Sequence, residues 1–144
     1  MLNYFAFVSN MSAQRIHERL GWSPSRSGVI LPDYEMVFNK HSNDGGKANI
    51  MYSPGDLVEG ILYSVNEKDL LILDKFEGVA AKQYKRYDIE VREHNKNSIA
   101  AVAYKALNTG KVSAPTDEYL NYILAGKEFL SPEYYTKLKS TKTL

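Results

Sequence analysis

Strand-like and helix-like segments do not alternate regularly along this chain, and that irregularity constrains the fold more than any single motif. Leu2 to Val8 is almost wholly apolar, as a strand covered on both faces is. Ser12 suits an N-cap for a helix through Gln14 to Leu20, which Gly21 stops. Residues 21–28 read as loop, and Val29 to Phe38 as a strand broken at Pro32-Asp33. A polar loop over residues 40–47 leads to two further strands, Ala48 to Tyr52 and Leu57 to Val65. The turn Ser53-Pro54-Gly55-Asp56 separates them. Asn66 caps the next helix, with Glu67 and Asp69 in its first turn where the dipole favours anions. Leu70, Leu73 and Phe76 form its apolar stripe, and Gly78 ends it. Tyr87 to Arg92 alternates as a half-exposed strand does, and His94 to Asn97 turns into a last strand, Ile99 to Tyr104. Thr116 caps a helix carrying Tyr119, Leu120, Ile123 and Leu124, and Ser131-Pro132 opens a final one. The order β-α-β-β-β-α-β-β-α-α is not that of a doubly wound sheet. It predicts an α+β protein, a mixed sheet or small mixed β-barrel with peripheral helices.

With 144 residues and neither repeat nor linker, a single domain over residues 1–144 is expected. A net charge of +1 supplies no global field for nucleic acid or an anionic membrane. No apolar run approaches the roughly 18 residues of a membrane span, and the N-terminus lacks the charged region and cleavage site of a secretory signal. The chain has no cysteine, which removes disulfides, thiolate metal sites and cysteine nucleophiles together and mildly favours a cytoplasmic location. The expected partner is a small molecule. Eleven tyrosines suit that expectation, because each ring packs while its hydroxyl remains available for hydrogen bonding.

Most familiar chemical constellations are missing. His17, His41 and His94 show no metal-ligand spacing and read as surface residues. Ser9 lacks the G-x-S-x-G context of a hydrolase nucleophile, and no Walker or dinucleotide motif occurs. Residues 82–87 mix bases with aromatics as single-strand binders do, but a solvated loop entering a strand explains them as well. Two stretches remain. Phe7-Val8-Ser9-Asn10-Met11 is a strand-to-helix turn, whose outward N–H groups can hold a carboxylate or can simply be capped by Ser9 and Asn10. Glu77 falls at a helix end, where the dipole and any burial raise its pKa toward general acid–base use. A surface glutamate beside Lys75 is the plainer alternative.

Taken together, these stretches resemble the γ-glutamylcyclotransferases. The likeness runs from Tyr4 to about Leu138. It rests on Phe7-Val8-Ser9-Asn10, where the family has Tyr-Gly-Ser-Asn, and on the arginine-bearing helix that follows. It continues through DYEMVFN (33–39), ANI (48–50), SPGDLVEGILYSV (53–65) and LDKFEGV (73–79), with Tyr84 after the glutamate. The resemblance implies a small mixed barrel that releases 5-oxoproline from γ-glutamyl compounds without metal or organic cofactor. It makes Glu77 the catalytic acid/base, Phe7, Val8, Ser9, Asn10 and Met11 the substrate-binding loop, and Tyr84 and Tyr119 pocket residues, with Tyr104 a neighbour. A homodimer is compatible with the family, though the sequence carries no signature of one. Two departures stand out: Phe7 lacks the family hydroxyl, and Val8 replaces glycine. A positive φ at residue 8 would strain valine, whereas an ordinary φ would cost only room. A catalytically weak γ-glutamyl-binding protein of the same fold is the alternative that these departures raise.

Overall fold

Two long strands build most of the barrel. The computed structural model describes residues 1–93 and 96–144, so the expected turn at His94 and Asn95 lies outside the described residues. Strands β2 (Arg26–Lys40) and β3 (Lys47–Val65) form an extended antiparallel hairpin. The C-terminal part of β3 also pairs antiparallel with β1 (Leu2–Ala6), from Leu2 opposite Val65 to Ala6 opposite Ile61. Strands β4 (Tyr84–Arg92) and β5 (Ser98–Ala106) make a second antiparallel hairpin. A β2–β4 bridge on one side and a parallel β1–β5 bridge on the other close the barrel in the order β1-β3-β2-β4-β5. Closure requires β1 to cross β3 tightly. A Cβ at Gly60 would lie 2.5 Å from the Ala6 carbonyl oxygen and 2.7 Å from the Phe5 ring, so only glycine fits there.

Phe5, Ile50, Val58, Ile61, Tyr63 and Val65 are fully buried, some on the inner and some on the outer face of the sheet. Helices α1 (Ala13–Leu20), α2 (Glu67–Phe76), α3 (Asp117–Leu124) and α4 (Pro132–Lys139) surround the barrel. Each begins at the cap expected from local chemistry: the side chains of Ser12, Asn66, Thr116 and Ser131 accept the N–H three residues ahead. At Asn66 the pairing is reciprocal, because Asp69 accepts the Asn66 N–H in return, completing a capping box. Helix α2 is then clamped to the sheet. Arg86 of β4 donates twice to Asp74, at 2.9 and 2.8 Å, and once to Glu67 at 2.9 Å. The Tyr104 hydroxyl of β5 lies 2.7 Å from the same Asp74 carboxylate. No helix among the described residues is long and apolar enough to cross a membrane.

The α+β class and the small mixed barrel agree with the sequence expectation, but several boundaries differ. The first strand stops at Ala6 rather than Val8, and residues 9–11 form a 3₁₀ turn. Strand β2 begins at Arg26, inside the expected loop, and runs through Pro32-Asp33 with only a register shift. The expected turn at residues 53–56 is likewise part of the continuous β3. These two irregularities face each other: Asp33 has φ 66° and Gly55 φ 89°, and the Asp33 carboxylate accepts the Gly55 N–H at 3.0 Å. Both strands bend together, so neither is interrupted. Phe76 departs from the apolar stripe predicted for α2. It is 55% exposed, with the Arg19 guanidinium 4.5 Å over its ring.

Candidate active site

The end of α2 fixes where Glu77 stands. Val79 N–H donates to the Asp74 carbonyl at 3.0 Å and Gly78 N–H to the Lys75 carbonyl at 3.2 Å. Gly78 itself takes φ 66°. This is a Schellman closure, in which a glycine in the left-handed conformation turns the chain sharply and satisfies the last helical carbonyls. Glu77 is the final residue before that turn, held in helical geometry at φ −83°. Its backbone is therefore rigid although it lies at an element's edge.

The Glu77 side chain is half-buried among groups drawn from four elements. Burial pushes its pKa up to about 7, against the opposing pull of Arg19 and Arg15 from α1. Tyr4 of β1, Tyr84 of β4 and Tyr119 of α3 all feel its charge. Burial holds those three phenols well above their usual range, so near neutral pH they remain neutral hydroxyls. A carboxyl with a pKa near 7 can accept and return a proton at physiological pH, which an ordinary surface glutamate cannot do efficiently.

The turn at residues 9–11 joins this cluster through its side chains. Asn10 is buried; its Nδ2 donates to the Tyr4 hydroxyl at 2.9 Å, and its Oδ1 accepts from Arg19 Nη1 at 2.9 Å. Tyr4 and Arg19 thus touch Asn10 on one side and interact with Glu77 on the other. The side chains of Phe7 and Met11 belong to the hydrophobic core, with Phe7 stacked on Phe5 at 5.9 Å. Val8 is partly buried against that core and has φ −131°. Its φ is negative, so valine replaces the family glycine at the expense of space, with no left-handed strain. Ser9 and Asn10 head the 3₁₀ turn, where main-chain N–H groups have no partner within the turn itself.

Tyr84 and Tyr119 meet at one residue, Ala48. The Tyr84 hydroxyl donates to the Ala48 carbonyl and the Tyr119 hydroxyl accepts the Ala48 N–H, both at 3.1 Å. The neighbouring Asn49 accepts the Ala106 N–H at 2.9 Å, so the ANI segment serves to seat two tyrosines and the end of β5. Tyr104 packs edge-on against Tyr4 at 5.8 Å and gives its hydroxyl to α2, one layer behind the site. Roles for Tyr4, Arg15 and Arg19 were not assigned from sequence. A signal existed for the arginines: spaced four residues apart on a helix, they share one face. The groove of about 300 Å³ between the β2–β3 hairpin and α4 is lined by Met36, Leu57 and Tyr134 among others, and none of its lining residues belongs to the Glu77 cluster. The basic stretch at residues 82–87 is partly consumed by structure, since Arg86 is committed to Asp74 and Glu67.

Fold and site together define a small closed-barrel protein organised around one carboxyl poised near neutrality and ringed by tyrosines and arginines. Comparison with known proteins gives that description a family. The AIG2-like family matches residues 57–138. Bovine γ-glutamylcyclotransferase is 32% identical over 145 residues, covering 95% of this chain and 77% of the relative. The human γ-glutamylcyclotransferase is 30% identical over the same shares. A solved γ-glutamyl cyclotransferase structure superposes with a TM-score of 0.88 at 30% identity, covering 99% of this chain and 89% of the other. The chain belongs to the γ-glutamylcyclotransferase family.

Proposed function

We propose that this protein releases 5-oxoproline from γ-glutamyl amino acids, peptides or amines, with Glu77 as general acid and base. The observation that carries the reading is the half-buried Glu77 carboxyl, with a pKa raised to about 7, beside Tyr4, Tyr84, Tyr119 and Arg19. The names of the bovine and human relatives support the reaction class. In this chemistry the substrate supplies its own nucleophile. Its α-amine nitrogen attacks the γ-carbonyl carbon, a five-membered ring closes, and the bond from that carbon to the leaving amine breaks. Glu77 takes the proton that the attacking nitrogen must lose, then gives it to the departing nitrogen, which leaves poorly as an anion. Such proton traffic is worth about 10²–10⁴-fold.

The N–H groups at the head of the 9–11 turn bind the substrate's α-carboxylate or the oxyanion that develops on the carbonyl. One such donor contributes on the order of 3 kcal/mol to the transition state. Folding the substrate for ring closure provides a further large part of the acceleration. A screen for 5-oxoproline release across γ-glutamyl amino acids, peptides and amines tests the proposal, with Glu77→Gln as its control. A second reading is favoured by the space that Val8 occupies beside the turn. In it the protein binds γ-glutamyl ligands with little turnover, and calorimetry would register binding where the screen finds no product.

A further inference from the structure

The 9–11 turn is pinned from behind by two side chains that the proposed reaction does not use. Tyr63 donates its hydroxyl to the Asn10 carbonyl at 2.7 Å, and Arg26 Nη2 donates to the Met11 carbonyl at 3.0 Å. Each pin acts on a peptide plane already held at its other end. The Asn10 carbonyl shares its plane with the Met11 N–H, which donates to the Val8 carbonyl at 3.0 Å. The Met11 carbonyl shares its plane with the Ser12 N–H, which donates to the Ser9 carbonyl at 3.2 Å. Because a peptide unit is planar, a hydrogen bond at both ends fixes its orientation.

Arg26 is an unusual residue for this place. Its guanidinium lies between the rings of Tyr63, at 5.5 Å, and Phe129, at 5.2 Å. Its Nη1 is shielded from solvent and has no hydrogen-bond partner among the described residues. A buried donor without an acceptor destabilises a fold, and an apolar side chain of similar length would fill the gap without that penalty. Packing alone therefore does not account for arginine at position 26. We infer that Arg26, together with Tyr63, is a positioning residue of the active site, locking the peptide planes from Asn10 to Ser12 so that the Ser9 and Asn10 N–H groups stay aimed at the ligand. The consequence for ligand binding rests on the function proposed above; the locking of the turn does not.

The test pairs amide hydrogen exchange with kinetics in Arg26→Met, Arg26→Lys and Tyr63→Phe. Arg26→Met keeps length and removes every donor, so exchange at Ser12 should accelerate on the order of tenfold as the turn opens locally. Tyr63→Phe removes one hydroxyl with little change in volume, and should accelerate Met11 more than Ser12. In both variants KM for a γ-glutamyl substrate should rise more than kcat falls, while the pH dependence of kcat stays that of Glu77. Arg26→Lys should recover part of the Arg26→Met loss, since an ammonium on that stem can still reach the Met11 carbonyl. Exchange at Met11 and Ser12 within twofold of wild type in the two donor-deleting variants would overturn the inference, as would a lysine variant no better than methionine. If Arg26→Met does not fold, Tyr63→Phe and Arg26→Lys carry the same comparison. If wild-type protein turns over no γ-glutamyl compound, the proposed function fails while the exchange data still decide whether the turn is pinned.

Discussion

Replacing Glu77 by glutamine should change the protein's stability and its activity in ways that have separate signatures. An ordinary glutamate titrates at 4.5, and this one at about 7 because burial disfavours its charged form. Between those values the native state keeps a proton that the unfolded chain has released. Stability must then fall as pH rises from about 4.5 to 7, and level off above. Each pH unit of that window is worth about 1.4 kcal/mol, so the whole effect comes to about 3.5 kcal/mol. Partial contact of the side chain with water makes this an upper bound. Glutamine cannot ionise and removes the slope. Urea unfolding at pH 5 and pH 8 should show the variant gaining about 1–3 kcal/mol on wild type at the higher pH, with the two differing least near pH 4.5. Burial sets this titration, opposed by the charges of Arg19 and Arg15 of α1. Neither arginine is altered by the substitution. Turnover should fall about 10²–10⁴-fold, and the wild-type kcat/KM should decline as pH drops below about 7. Parallel stability curves for the two proteins would refute the claim that burial raises this carboxyl, and retained turnover would refute its catalytic role.

Val8→Gly should lower stability by about 0.5–1 kcal/mol, because glycine adds backbone freedom at a position whose φ of −131° does not require it. The added room should raise kcat/KM for γ-glutamyl compounds with bulky leaving groups; a gain in stability measured by urea unfolding would contradict the geometry. Gly78→Ala forces a side chain into φ 66° and brings a Cβ within 3.1 Å of Gln83, so it should cost about 1–2 kcal/mol. Because that turn orients Glu77, turnover should also fall at temperatures where thermal melts show the variant folded. Arg86→Met deprives Asp74 of two hydrogen bonds and should destabilise by about 1–3 kcal/mol at neutral pH. Arg86 and Tyr104 hold the Asp74 carboxyl below its usual 3.8 despite burial, and stability from a lowered carboxyl is lost as pH falls through the native value. The difference between variant and wild type, followed by unfolding across pH, should therefore shrink in acid.

Chemistry between residues a few positions apart was legible in the sequence. Ser12, Asn66, Thr116 and Ser131 each meet the N–H three residues ahead, and Gly78 closes α2 through contacts no more distant than Asp74 and Gln83. Such features depend on neighbours that the chain always keeps close, so reading order is enough to find them. The motif likeness likewise led to Glu77 and to the 9–11 turn. What the sequence did not reveal is what distant segments decide jointly. Pro32-Asp33 and residues 53–56 look like two breaks, and become one shared bend only when Asp33 reaches Gly55 across the hairpin. Phe76 fits an apolar stripe on a helical wheel, yet faces solvent beneath Arg19. The protonation of Glu77 is the clearest case, since burial raises its pKa against the charges of Arg19 and Arg15, and its own charge reaches Tyr4, Tyr84 and Tyr119. Burial and Coulomb fields depend on distance in space, and only the closed barrel brings those five positions around one carboxyl.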